Sequence, residues 1–329
     1  MTTAIEITDL SRRYGSTDAL TDVSFDVEQD TICGLLGRNG AGKTTTLSVV
    51  AGQERPSGGR VRVFGHDPAD DSRVASRTSF VKDDQRWPDD FRLREVLAVG
   101  PAFHRGWDAE LARSLAADLR VPEKTPVKKM SRGQASAVAI VIGVASRAPL
   151  TIFDEPYLGL DATARQLFYD RLLADYSEHP RTILLSTHLI DEMESLLEHV
   201  VVLDQGQVRL DCDVDDARAS AYSVAGTTRS VTAFLTGRTV LSSHGIGGLT
   251  TAVVEGAADE RVRADAAAAG VELSPVGLQQ VVAALGAASA ASSAVHHADD
   301  GDDLGGGGGG LGGPTADASP RTAPEGARS

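Results

Sequence analysis

Cysteine is nearly absent from this chain. Among 329 residues there are two, Cys33 and Cys212. That excludes a disulfide framework and a thiolate zinc site, and it fits a reducing compartment. Cys33 lies in an apolar run and reads as a small core residue. Long apolar runs are missing as well. The longest, Ala135 to Ala145, is too short to cross a bilayer and contains Ser136 and Gly143. If the protein works at a membrane, another chain must provide the spans. The first residues lack a basic-then-apolar pattern, so no secretory signal is expected. Positive charge is in deficit, with 32 Lys and Arg against 46 Asp and Glu and a formal net charge of -14 at pH 7. This balance argues against a nucleic-acid-coating surface, and no nucleic-acid partner is expected. The length, with 41% hydrophobic residues, supports a sizeable core and more than one domain.

What is present starts with Gly37-Arg38-Asn39-Gly40-Ala41-Gly42-Lys43-Thr44-Thr45. It fits G-x-x-x-x-G-K-[ST], a loop whose backbone N–H groups close around phosphate oxygens where a Cβ would intrude. The Lys43 ammonium can reach the β- and γ-phosphates, and the Thr44 hydroxyl suits a Mg²⁺ ligand. The context agrees. Thr31 to Leu36 reads as a buried strand, and Thr45 to Ala51 continues as a helix whose N-terminus faces the phosphates.

Before the loop, Ile5 to Ile7 and Val23 to Val27 alternate as antiparallel strands. Between them, Tyr14 is either a half-buried strand aromatic or a ring presented to a base. After the loop, Arg60 to Gly65 and Ser79 to Val81 read as strands. From Phe91 to Leu119 the period turns helical and interrupts the alternation, as an inserted helical subdomain would. Ser131 is placed to cap an apolar helix running to Ala145, with the N–H groups at its start available to an anion. Leu150 to Pro156 is a strand carrying Asp154 and Glu155 at its C-terminal end, where ligands bind in open α/β sheets. Gly159-Leu160-Asp161 is a turn. Arg181 to His188 is another buried strand with a polar end, followed by a helix that places Ile190, Met193, Leu197 and Val200 on one face. Val200 to Leu203 and Val208 to Leu210 form a hairpin.

From Asp211 the character changes. Val231 to Phe234, Thr239 to Leu241 and Thr250 to Val254 read as strands, and Glu260 to Ala269 and Leu278 to Leu285 as helices of a small α/β appendage. Beyond Ala287 an Ala/Ser-rich stretch leads to an acidic run, a glycine run and a Pro-rich end, a composition expected to stay disordered. His296 and His297 are expected to be a solvated pair in that tail rather than metal ligands.

Three strand ends thus carry polar groups suited to phosphoryl transfer. Asp154 suits a water-mediated hold on Mg²⁺, Glu155 a general base for the attacking water, and His188 a γ-phosphate contact. In this order they resemble the nucleotide-binding subunit of ABC transporters, over roughly Thr2 to Leu210. The resemblance implies a P-loop NTPase α/β cassette across residues 1–212. It would hold a mixed sheet core, an antiparallel β subdomain and a helical subdomain at about 84–146. A small α/β domain at 213–287 and a tail at 288–329 would follow. Gly37, Arg38, Asn39, Gly40, Ala41, Gly42, Lys43, Thr44 and Thr45 become Walker A, binding ATP. Leu150 to Glu155 becomes Walker B. Ser131, Arg132, Gly133 and Gln134 fall on the signature motif, Asp161 on the D-loop, His188 on the switch histidine, and Tyr14 on the aromatic that stacks on adenine. Glu155, His188 and Lys43 would carry catalysis, and Thr44, Gln85 and Asp154 would hold Mg²⁺.

Several positions depart from the family pattern. Met130 and Arg132 replace the usual Leu and first Gly of the signature, and Arg132 beside a partner's γ-phosphate either adds a charge contact or crowds it. Ser136-Ala137 stands where a Gln-Arg pair often follows. Asp30 sits where a Gly usually precedes the phosphate-loop strand. The Q-loop glutamine would fall at Asp83, so either the loop is recast to use Gln85 or the role moves to Asp83; Gln85 is the expectation. Arg94-Glu95-Val96-Leu97 resembles the region that meets a permease.

By resemblance, two cassettes, as a homodimer or with a paralogue, close head to tail around two ATP. They would drive a separately encoded membrane permease from the cytoplasmic face of the plasma membrane, as peripheral subunits and preferably for export. The alternatives are a soluble non-transport ABC ATPase and a nucleotide-dependent regulator. The first usually has two cassettes per chain or coiled-coil insertions, and intact Glu155 and His188 argue against the second.

Overall fold

The computed structural model describes residues 2–82 and 85–299. Two long strands, β1 (Thr3–Tyr14) and β2 (Thr17–Glu28), pair antiparallel with Ile5 opposite Val27 and Ile7 opposite Phe25. Their alternation buries one face. Asp30 turns the chain into β3 (Ile32–Leu36) with φ 58°, the left-handed region. This explains why a glycine would serve there, and aspartate is among the few residues that tolerate it. β3 leads through the phosphate loop into α1 (Lys43–Val50), and β4 (Gly58–Val63) returns to pair with β1, completing a three-stranded sheet β2-β1-β4.

After the short α2 (Ser72–Ala75), β5 (Thr78–Lys82) enters a second sheet. The helical insertion follows as α3 (Leu93–Phe103), α4 (Ala109–Asp118) and α5 (Arg132–Ala145). The chain then alternates through β6 (Leu150–Asp154), α6 (Ala162–Glu178), β7 (Thr182–Thr187), α7 (Ile190–Met193), β8 (His199–Asp204) and β9 (Gln207–Asp213). The sheet order is β5-β6-β7-β3-β8-β9, parallel except for the β8–β9 hairpin. Every residue of β3, β6 and β7 is buried. Such strands read as continuous apolar runs because layers cover both sheet faces. Parallel order also puts the ends of β3, β6 and β7 on one rim. Val200 belongs to β8 and not to the preceding helix. The helix stops at Met193, and pairing of Val200 with Gly34 of β3 overrides the helical period.

α8 (Val214–Ala219) buries Val214 and Ala217 in the cassette core. The appended elements are β10 (Ala221–Thr227), α9 (Thr228–Leu235), β11 (Val240–Ile246), β12 (Leu249–Glu255), α10 (Glu260–Ala269) and β13 (Glu272–Pro275). They make an antiparallel sheet β11-β12-β10-β13, the split β-α-β arrangement of ferredoxin-like folds. The strand expected at Val231 to Phe234 is α9 instead. Thr227 caps it by accepting the Ser230 N–H at 3.2 Å, and Val231 and Phe234, three apart, share the buried face. α11 (Leu278–Asp299) wedges the two parts together within the compact body of residues 1–290. Leu278 and Val282 pack into the cassette core, while Val281 and Ala284 pack beneath the appended sheet. The disordered stretch expected from residue 288 is helical through Asp299. Its alanines are the strongest helix formers, and the helix is already nucleated by its packed first turns. His296 and His297 fall within this helix. The remaining tail lies outside the described residues.

Candidate functional site

Gly42 precedes α1 with φ 104°, and no side chain caps the helix. No acidic residue occupies its first turn either. The N-terminal N–H groups are therefore presented to the loop, a ready anion site. Gly37, at φ 146°, has room for no side chain. A Cβ there would lie 2.2 Å from the carbonyl oxygen of Leu203, so the loop and the end of β8 touch backbone to backbone. Lys43 is buried, and its Nζ donates to the carbonyls of Gly37 (2.9 Å) and Arg38 (3.2 Å). The ammonium is thus held inside the loop it is to serve.

The Lys43 Nζ also lies 3.5 Å from Glu155 Oε1, and Glu155 Oε2 lies 3.1 Å from His188 Nδ1. Three residues from three strand ends meet because β3, β7 and β6 are neighbours in parallel register. Glu155 has φ 46°, a conformation that costs a non-glycine residue about 1–3 kcal/mol and clusters at functional positions. The Ser186 hydroxyl pins it, accepting the Glu155 N–H at 3.0 Å while donating to Asp154 Oδ1 at 2.7 Å. Asp154 closes β6 with its carboxylate on Ser186, while the left-handed turn at Glu155 sends that carboxylate to Lys43 and His188. A cavity of about 450 Å³ opens beside this cluster, lined by Arg38, Asn39, Gly40, Ala41, His188, Asp204 and Gln205.

Other expected residues lie elsewhere. Ser131 and Gln134 form a reciprocal capping box at the start of α5, so the Gln134 N–H is taken up within the chain rather than offered outward. Gly133 packs on the turn at Gly159, where a Cβ would stand 2.2 Å from the Gly159 carbonyl oxygen. The segment Ser131 to Gln134 thus packs on the Gly159 turn of its own chain. Asp161 caps α6 by accepting the Ala164 N–H at 2.8 Å. Tyr14 is half-exposed, its hydroxyl bonded to Glu54 and one ring face 4.6 Å from the Arg12 guanidinium carbon. Arg132 is exposed. Thr44 is exposed at the first turn of α1, and Asp154 is buried at the end of β6, both hard oxygen donors of the kind Mg²⁺ prefers. Gln85 does not join them. It is exposed and lines a separate cavity with Trp87, Val96 and Phe103. Asp83 lies outside the described residues.

Sequence reading missed several supporting groups. The Ser136 hydroxyl, buried, donates to the Leu158 carbonyl at 2.7 Å, and the Arg165 guanidinium donates to the Leu160 carbonyl at 3.0 Å. Together they hold the turn from both sides. The departure from a Gln-Arg pair at 136–137 was the available signal. Ser136→Ala is expected to lower stability by about 1–3 kcal/mol, because the Leu158 carbonyl loses its buried donor. A urea-unfolding midpoint unchanged from wild type would refute this.

A family model described as ABC transporter matches residues 20–158. A "Nod factor export ATP-binding protein I" of Paraburkholderia xenovorans (strain LB400) is 33% identical over 211 residues, which is 62% of this chain and 69% of that protein. The chain belongs to the ABC transporter family. It is an ATP-binding subunit of that family, with the fold of the P-loop ABC cassette. A protein of the same name from Burkholderia orbicola (strain AU 1054) is 31% identical over 62% of this chain and 68% of its own length. A solved structure titled "Structure of ATP binding subunit of ABC transporter" shares 30% identity and a TM-score of 0.58, covering 66% of this chain and 92% of the other. A dimeric cassette described as a post-hydrolysis state bound to ADP and Pi matches at 19% identity and a TM-score of 0.56, covering 64% of this chain and 98% of its own, a likeness of fold alone. The family model ends before Asp161 and His188 of this cassette.

Proposed function

We propose that this ABC cassette hydrolyses ATP as one half of a two-cassette sandwich and so drives a separate membrane permease, in the direction of export. The observation that carries the reading is a division within the chain. Lys43, Glu155 and His188 meet at the phosphate loop, whereas Ser131 to Gln134 sit on the D-loop turn. A complete site then needs the signature helix of a second cassette. The triphosphate would lie on the amides of Gly37 to Thr45 with Lys43 at its β- and γ-oxygens and the adenine against Tyr14. Arg132, Gly133 and Asp161 would approach from the partner. Glu155 would take a proton from the attacking water, and His188 would contact the γ-phosphate. Catalysis would rest on positioning and on stabilising charge in a site the sandwich closes to water. Thr44 and Asp154 fit Mg²⁺, Asp154 through water. The metal would neutralise charge on the triphosphate. Gln85 would have to move to take part.

Among the described residues no helix is long and apolar enough to cross a membrane. The separately encoded permease, and a peripheral place at the cytoplasmic face of the plasma membrane, belong to the same proposal. Export is preferred because similar proteins carry it in their names. The specific ATPase rate of the purified chain is expected to be low and to rise with protein concentration, since each site draws on two chains. EDTA should abolish it. A rate per chain that is constant over a hundredfold dilution, or that survives EDTA, would refute the shared site or the metal.

A further inference from the structure

Tyr157 follows Glu155 by two residues, where the chain leaves the strand end for the D-loop turn. Its side chain is almost wholly buried. The hydroxyl accepts the backbone N–H of His188 at 3.0 Å and lies 2.9 Å from Thr187 Oγ1 and 3.3 Å from His188 Nδ1. The two rings meet edge to face with centroids 5.7 Å apart. Thr187 Oγ1 in turn accepts the Leu189 N–H at 2.9 Å. Backbone and ring of His188 are therefore both referred to one phenol.

The ring nitrogen Nδ1 has two candidate partners of opposite character. Glu155 Oε2, at 3.1 Å, can only accept, so that contact requires a proton on Nδ1. The Tyr157 hydroxyl can donate, and a donated phenolic proton requires Nδ1 to be bare. A neutral imidazole carries one N–H, so the partner of Nδ1 decides what Nε2 presents on the opposite ring edge. With Glu155 as partner, Nε2 offers a lone pair, which repels a phosphate oxygen. With Tyr157 as partner, Nε2 offers N–H, which binds it. Burial pushes the Tyr157 phenol up to about 12, so it keeps its proton at neutral pH.

We propose that Tyr157 is a positioning residue that selects the His188 tautomer. When nucleotide draws Glu155 toward water, Tyr157 takes over Nδ1 and His188 turns Nε2–H toward the phosphate cavity. The exchange moves one proton from Nδ1 to Nε2 through solvent and leaves the ring neutral. The kinetic consequence rests on the ATPase reading above, whereas the tautomer does not.

The test is ring-¹⁵N NMR of His188 in the full chain, with and without AMP-PNP and Mg²⁺, beside steady-state ATP hydrolysis. The wild type with AMP-PNP should show bare Nδ1 and protonated Nε2. Tyr157→Phe should keep Nδ1–H in the same complex. Its kcat should fall about tenfold, the worth of one hydrogen bond, with KM for ATP within about twofold. In a His188→Ala background, Tyr157→Phe should change kcat no further. The proposal is overturned if nucleotide-bound wild type keeps Nδ1–H, a result that needs no variant to fold. It is also overturned if both proteins show one tautomer, or if the two substitutions act additively. A wild type that shows the tautomer change but never hydrolyses ATP would overturn the ATPase reading and leave this one standing.

Discussion

Glu155→Gln is expected to lower ATP turnover by about 10²–10⁴-fold while leaving ATP affinity nearly intact, the usual size of general-base help. Glutamine keeps the length and one accepting oxygen, which can take the place of Glu155 Oε1 beside Lys43 Nζ (3.5 Å), while its amide NH₂ can face His188 only with Nδ1 bare, where the carboxylate at 3.1 Å meets a protonated one. It cannot accept a proton from water. In the proposed site binding rests on Lys43 and the loop amides, which the change does not touch. With the reopening step blocked, two-chain sandwiches should accumulate in ATP. Lys43→Ala should behave differently. It removes the ammonium held by the Gly37 and Arg38 carbonyls, so nucleotide affinity falls and no sandwich forms. Phosphate release and ATP-dependent size-exclusion profiles of both variants distinguish these outcomes. Near-wild-type hydrolysis by Glu155→Gln would make another group the base, with His188 first in line.

Asp175→Ala is expected to cost about 3–5 kcal/mol of stability, the usual penalty for stripping one partner from a buried ion pair. Asp175 and Arg181 are each only 4% exposed, with Arg181 Nη1 2.8 Å from Asp175 Oδ2 as a contact of charges rather than an aligned hydrogen bond. Arg147 holds the other carboxylate oxygen from Nε (3.0 Å) and Nη2 (2.7 Å), and reaches Asp108 at 3.0 Å. Burial pulls the Arg181 guanidinium below the usual arginine value, against the raising effect of Asp175. Without the carboxylate two cations would face each other in a nearly dry site. The network joins α6, the start of β7, the α5–β6 turn and the first turn of α4, so the helical insertion should loosen with it. Total stability of a domain is about 5–15 kcal/mol, so Asp175→Ala should unfold near ambient temperature or express poorly. A urea midpoint within experimental scatter of wild type would show the network to be idle.

The strand–loop–helix around Lys43, the polar strand ends at Glu155 and His188 and the cap at Ser131 were all legible in the chain. Each is a local pattern: a glycine spacing, an apolar run with a polar end, a hydroxyl before a helix. The Asp30 turn was visible as a departure and becomes intelligible through its positive φ. Val231 to Phe234 misled because Val231 and Ala233 fit period two while Val231 and Phe234 fit a helical i, i+3 spacing, and only packing against the appended sheet selects the helix. The extension of α11 to Asp299 misled for a different reason. Composition shows that a segment lacks a core of its own, but not that a neighbouring core has already nucleated its helix.

Residue identity and spacing determined which groups are available for the proposed phosphate, metal and proton-accepting roles, because those roles depend on side-chain chemistry at short chain separation. The tertiary structure decided which of them meet. Parallel pairing of β3, β7 and β6 brings Lys43 to Glu155 and His188, each more than a hundred residues further along the chain, and leaves Gln85 in another cavity. It also delivered Tyr157 to the back of the His188 ring, a contact between strand ends with no periodicity that a sequence could display.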